Sequence, residues 1–302
     1  MGHHHDHNHA HVHTSGINAA FIIGIILNFI FVIVEVVAGF SIHSLSLISE
    51  AGHNLADVGA LALSLLAFRM MKVKSTDQYT YGYRKTSILV ALFNAVVLIL
   101  SIGAIVYEAA HRFFNPEPLP GKTIAFIAAI GIVINGTSAL FFKREKNQDL
   151  NIKGAYLHLL SDALLSLGLV LGGIVIYFTN WYWLDSVLSI VIACIILFNT
   201  WSLFKDSLRL SLDGVPADIH LDDIKSIAAK IPGIKDIHHV HVWALSTTEN
   251  ALTAHIKLDQ SITSKNEQKI KHELKHALEH QNIRHVTLET EREDDPCESG
   301  EC

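Results

Sequence analysis

Residues 46–68 read SLISEAGHNLADVGALALSLLAF, an apolar run broken by His53-Asn54-Leu55-Ala56-Asp57. Its length and composition predict a helix that crosses a bilayer, because about 20 apolar residues span the hydrocarbon core. Residues four apart lie on one helix face, so the His53 imidazole and the Asp57 carboxylate share a side. An ionised Asp at the bilayer centre costs roughly 2.5–3.5 kcal/mol on insertion scales and calls for a partner. The same spacing returns much further along as His158-Leu159-Leu160-Ser161-Asp162, again within an apolar run. One such pair could serve only to hydrogen-bond a neighbouring helix. Two pairs, each in mid-span, would carry that burial cost twice, so they are expected to meet. Together His53, Asp57, His158 and Asp162 form a tetrahedral set of two imidazoles and two carboxylates. Its geometry and charge suit Zn²⁺.

Half of the 302 residues are hydrophobic and 17% are charged, a membrane-class balance. The net charge of −6 is unevenly spread, with 18 acidic and 11 basic residues from Asp206 onward. An acidic tail on a nearly neutral apolar body does not suit nucleic acid; it suits a cytoplasmic domain that attracts cations. Three cysteines, Cys194, Cys297 and Cys302, make no disulfide framework. Twenty histidines are the main compositional clue, and seven of them lie in residues 3–13, HHHDHNHAHVH. Residues 1–16 therefore read as a disordered tail that binds transition metals loosely. The first apolar run follows histidines rather than a basic segment and is too long for a secretory signal.

Six apolar runs are expected to cross the membrane: Ile17–Ala38, Leu47–Phe68, Ser87–Tyr107, Thr123–Phe142, Gly154–Phe178 and Trp183–Leu203. Lys and Arg crowd the second loop (Arg69, Lys72, Lys74, Arg84, Lys85) and the fourth (Lys143, Arg144, Lys146, Lys153). The positive-inside rule puts those loops and both termini in the cytoplasm; the expected location is the inner (plasma) membrane. Asn28, Glu35 and Asn135 are expected to hydrogen-bond between helices. Beyond Leu210 the pattern changes to a helix over 219–231, strands over His239–Leu245 and Leu252–Leu258, a helix over Ser264–His280 and a strand over Ile283–Thr290. The expected fold is an all-α six-helix transmembrane domain (17–205) followed by a cytoplasmic α+β domain (206–290). The latter has the order α-β-β-α-β, ferredoxin-like, and residues 291–302 form a flexible end.

The paired His-x-x-x-Asp helices, six spans, His-rich start and α+β tail resemble the cation diffusion facilitator family, in particular its bacterial zinc/cobalt/cadmium resistance branch. The stretch from Ser44 to His53 resembles the entry to the family's second helix. Tyr81-Gly82-Tyr83-Arg84-Lys85 resembles its motif before the third, and His238-His239-Val240-His241-Val242-Trp243 the first strand of its tail. The resemblance implies a homodimeric exporter that exchanges cytoplasmic Zn²⁺ for external protons by alternating access, with His53, Asp57, His158 and Asp162 as transport site. His53 at the first position implies zinc, with Co²⁺ or Cd²⁺ as lesser substrates. A further loop metal is not expected, because Tyr83 stands where some members carry a His. The resemblance also implies a zinc site in the tail. His238 and His255 match two of its imidazoles, while Glu289 and Glu291 replace a His and an Asp. Lys85 and Asp213 align with a charge contact near the family's dimer interface.

A ligand must shed its proton before it takes a metal, so Zn²⁺ and H⁺ compete for the same lone pairs. Histidine, with an ordinary pKa near 6.5, makes that exchange responsive near neutral pH. Two other classes compete with a transporter. An intramembrane zinc hydrolase would keep three ligands and an open position for water, whereas four ligands occur here in two equivalent pairs. A membrane metal sensor would need an effector motif, and the tail shows none. The chain is read as a transporter and not an enzyme.

Overall fold

Within hydrocarbon each backbone N–H and C=O must be satisfied inside the protein, and a helix does so locally. The computed structural model describes residues 14–41, 45–114, 121–179, 181 and 183–292. The His-rich start and the terminal Cys297 and Cys302 lie outside the described residues. Among the described residues, six long helices come first: α1 (Thr14–Ser41), α2 (Leu45–Met70), α3 (Thr86–Phe114), α4 (Gly121–Lys143), α5 (Leu150–Thr179) and α6 (Trp183–Ser211). Each outruns its expected apolar span, because helical hydrogen bonding continues past the stretch that must be apolar. Ala19–Ala38, Thr86–Phe114 and Ser189–Ser211 are by length and composition apolar enough to cross a membrane, and α4 adds the shorter run Ala128–Lys143. α2 and α5 are diluted by polar groups, among them the buried Asn54, Asp57, His158 and Ser161.

The chain divides into two compact units. The first (Met1–Leu66, Gly103–Lys146, Ala155–Ile196) is built, among its described residues, from helices. Phe21 of α1 meets Phe142 of α4 edge to face, with ring centroids 4.9 Å apart. A Cβ on Gly131 would lie 3.1 Å from both the Phe31 ring and Ser166 Oγ, so glycine there lets the helices close up. On α1, Ile26, Phe29, Ile30 and Ile33 point outward, as a lipid solvent allows. Asn54 Nδ2 of α2 donates to Glu35 Oε2 of α1 over 2.7 Å, the expected interhelical bond. Asn28 departs from expectation: its amide donates to Gly24 O in its own helix (2.9 Å). One turn back, that carbonyl is the nearest acceptor an Asn can reach.

The second unit (Ala67–Ile102, Asn147–Gly154, Leu197–Cys302) holds the tail together with the starts of α3 and α5 and the end of α6. α6 closes with Asp213 in the left-handed region (φ 57) and the Gly214 N–H bonded to Arg209 O at 2.8 Å, a Schellman cap. The cap aims Asp213 at Lys85, and the two form an ion pair. α7 (Leu221–Ala229), β1 (Ile234–Ala244), β2 (Asn250–Leu258), α8 (Ser264–Glu279) and β3 (Ile283–Arg292) complete the α-β-β-α-β order. The sheet runs β1-β2-β3, with β1 antiparallel and β3 parallel to the central β2. Leu252, Ala254, Ile256 and Leu258 of β2 enter one apolar core with Ile224 and Ala228 of α7 and Ile270, Leu274 and Leu278 of α8. Alternation along the strand sends Thr253, His255 and Lys257 to the other face. β1 starts earlier than expected because its register shifts between His238 and His241, where His239 takes φ 48. Such a bulge breaks the two-residue period from which a strand is read.

Candidate metal centres

Three of the four intramembrane candidates come together. His158 Nε2 lies 2.7 Å from Asp57 Oδ1 and 3.8 Å from Asp162 Oδ2, and all three side chains are at least nine-tenths buried. Their ligand atoms fall within 4.8 Å of one another. A tetrahedral ion with bonds of about 2.0–2.2 Å holds neighbouring donors roughly 3.4 Å apart, a spacing these distances straddle. Helix geometry accounts for the arrangement: Asp162 follows His158 by one turn of α5, and Asp57 reaches the same imidazole from α2. His53 lies one turn before Asp57 in α2, on the same face by helical period; its side chain lies outside the described residues. Two acids and imidazole nitrogen, without thiolate, form a donor set for a borderline divalent ion. The Asn54–Glu35 bond adjoins this turn of α2 and is a supporting contact that spacing alone did not reveal. Asn54 stands beside His53 in sequence, and that adjacency was the available signal.

The tail candidates converge on the sheet face opposite the helices. His238 of β1 pairs in register with His255 of β2, which pairs with Glu289 of β3. Glu291 bridges the imidazoles, with Oε1 2.7 Å from His255 Nδ1 and Oε2 3.2 Å from His238 Nε2. His238, His255 and Glu291 offer ligand atoms within 4.8 Å of one another, each half-buried. Glu289 lies 3.4 Å from His255 Nε2 but is largely exposed. The hydrogen bond with His255 holds the Glu291 carboxyl below its ordinary range, against the upward push of burial, and His238 adds to the lowering. Two imidazoles and a carboxylate fit a zinc ion, with Glu289 in reach as a fourth donor. Two neighbours of this cluster escaped the sequence reading. Asp236 Oδ2 lies 3.1 Å from His238 Nδ1, the kind of outer contact that orients a ligand. The His239 ring sits 4.8 Å from that of His255, turned there by the bulge. The doubled histidine was its only trace in the sequence.

Comparison with known proteins covers nearly the whole chain. Residues 21–210 match the model of the cation efflux transmembrane domain, and residues 216–293 that of the cation efflux protein cytoplasmic domain. The chain is 36% identical to a cadmium, cobalt and zinc/H(+)-K(+) antiporter of Bacillus subtilis (strain 168), covering 97% of this chain and 93% of that protein. It is 37% identical to the metal cation efflux system protein CzcD of Cupriavidus metallidurans, covering 99% and 92%. It is 34% identical to the zinc transporter ZitB of Escherichia coli (strain K12), covering 90% and 86%.

Proposed function

Because the chain belongs to the cation efflux family, we propose that it exports Zn²⁺, with Co²⁺ or Cd²⁺ as lesser substrates, in exchange for protons. The observation that carries this reading is the buried meeting of Asp57, His158 and Asp162 between two helices of the transmembrane domain. Names borne by the relatives, zinc transporter and zinc/H(+)-K(+) antiporter, support the cargo and the exchange and point away from an enzyme. The transport site comprises His53, Asp57, His158 and Asp162. Facing the cytoplasm, the two imidazoles give up any proton they carry as the ion arrives, since metal and proton need the same lone pair. Facing outward, they take protons and the ion leaves. Two carboxylates match the ion's charge, so the loaded site is neutral in a medium that penalises net charge.

The chain works as a homodimer in the inner (plasma) membrane, with both termini in the cytoplasm, residues 17–205 spanning the bilayer and residues 206–290 forming the cytoplasmic domain. Lys and Arg in the loops before α3 and α5 support that orientation. His238, His255 and Glu291, with Glu289, hold a regulatory Zn²⁺ in the tail. The experiment is zinc-driven proton flux in liposomes. Asp162→Ala loses the flux while remaining folded and dimeric by size-exclusion chromatography; wild-type flux from that variant would remove the site from the mechanism.

A further inference from the structure

The outer face of α8 carries three histidines that neither metal centre uses. Ile270, Leu274 and Leu278 of this helix are buried against the sheet. His272, His276 and His280 each stand two residues further on, about 200° round the helix, and all three are exposed. Four-residue spacing sets them one above the next along that face. His280 is the C-cap but keeps right-handed helical angles (φ −65, ψ −16), so the stripe holds its direction to the end.

The rings of His276 and His280 have already met, with centroids 5.1 Å apart and planes at 79°. An ion bound tetrahedrally by two imidazoles at about 2.1 Å from each nitrogen holds the ring centroids roughly 5.2 Å apart. The pair therefore stands at chelating distance without moving either helical turn. Among the described residues neither ring has a hydrogen-bond or ion-pair partner to surrender. The helix-surface neighbours of His276, three and four residues away, are His272, Glu273, Glu279 and His280, so no Lys or Arg is among them. The negative end of the helix dipole lies at the same turn and favours a cation.

We propose that His276 and His280 chelate a divalent transition ion of the zinc class on the outer face of α8. Imidazole donors suit zinc, copper(II) and nickel and leave magnesium, which prefers oxygen, in solution. Two protein donors leave the remaining positions to water, so the site is open and exchanges its ion readily. It is separate from the cluster of His238, His255 and Glu291, because α8 packs on one face of the sheet and that cluster lies on the other. It stands whether or not the chain transports zinc.

The test is modification of histidines by diethyl pyrocarbonate in the solubilised full-length chain, read peptide by peptide by mass spectrometry. Resolution by peptide keeps the histidines of residues 3–13 out of the measurement. Zn²⁺ is expected to protect His276 and His280 over one common range of concentration, while Mg²⁺ protects neither. H280A and H280Q each lose the protection of His276, with unchanged amide exchange across α8 showing that the helix remains folded. H255A keeps the protection, since the sheet cluster plays no part in it. Equal modification with and without Zn²⁺, equal protection by Mg²⁺, or protection of His276 that survives loss of His280 would overturn the chelate. Protection that disappears in H255A would overturn it as well, by tracing the effect to the sheet cluster.

Discussion

At Asp259 three donors meet on one carboxylate: the Ser261 hydroxyl (2.6 Å), the Ser261 N–H (2.9 Å) and the Lys235 ammonium (3.2 Å). Led by the Ser261 hydroxyl, they lower its pKa from 3.8 to about 2. A carboxyl whose folded pKa is depressed contributes stability above its unfolded value and loses it as pH falls through the folded one. Asp259→Asn is therefore expected to weaken the tail at pH 5–7, with the gap to wild type closing between about pH 4 and pH 2; denaturation followed by hydrogen exchange reads it. His255 sets a second residue-scale test. It touches Glu291 and Glu289 and stacks near His238, so His255→Ala is expected to abolish zinc binding by the tail while Asp57→Ala leaves that binding intact. Equilibrium dialysis of the full chain lacking residues 1–13 separates the two. His238 and His255 were legible as candidates from motif alone. Asp236 and His239 were not, because a bulge rather than a period brings them in.

Among elements, β2 bears most of the tail's organisation. It pairs on both sides, and its Leu252, Ala254, Ile256 and Leu258 close the core beneath α7 and α8. Ile256 is fully buried. Ile256→Ala is expected to destabilise the tail by about 2–5 kcal/mol through lost transfer energy and the cavity left behind. Denaturant midpoints from exchange at β2 amides in the full chain measure this, and a loss below about 1 kcal/mol would show a core able to collapse around the gap. α7 and α8 were legible from their apolar stripes. α2 and α5 were legible for the opposite reason, since polar residues one turn apart interrupt otherwise apolar runs. The start of β1 was not legible, because the left-handed residue at His239 inverts the alternation on which a strand assignment depends.

For the whole molecule the question is what the tail adds to transport. Ser87, Asp149 and Asn151 at the starts of α3 and α5 are buried in one unit with the tail, which supplies Thr247 and Glu249 as partners. Removal of residues 210–302 leaves those polar groups without their partners and removes the proposed tail metal site with them. Deletion is expected to shift the zinc dependence of vesicle uptake to higher concentration while the proposed transport site still selects its ion. An unchanged curve would make the tail an assembly module only.

Periodicity lies in the chain itself, so two polar pairs one turn apart within apolar runs could be read without coordinates. So could the number of long helices, the change of character after Leu210 and the order of the tail's elements. Partner choice across the chain has no period. That Asn54 finds Glu35, that Glu291 bridges two imidazoles and that Thr247 caps its hydroxyl onto Asp149, 98 residues away, depends on how helices and strands pack. Only packing brings distant donors within the roughly 3 Å that a hydrogen bond or a shared ion demands.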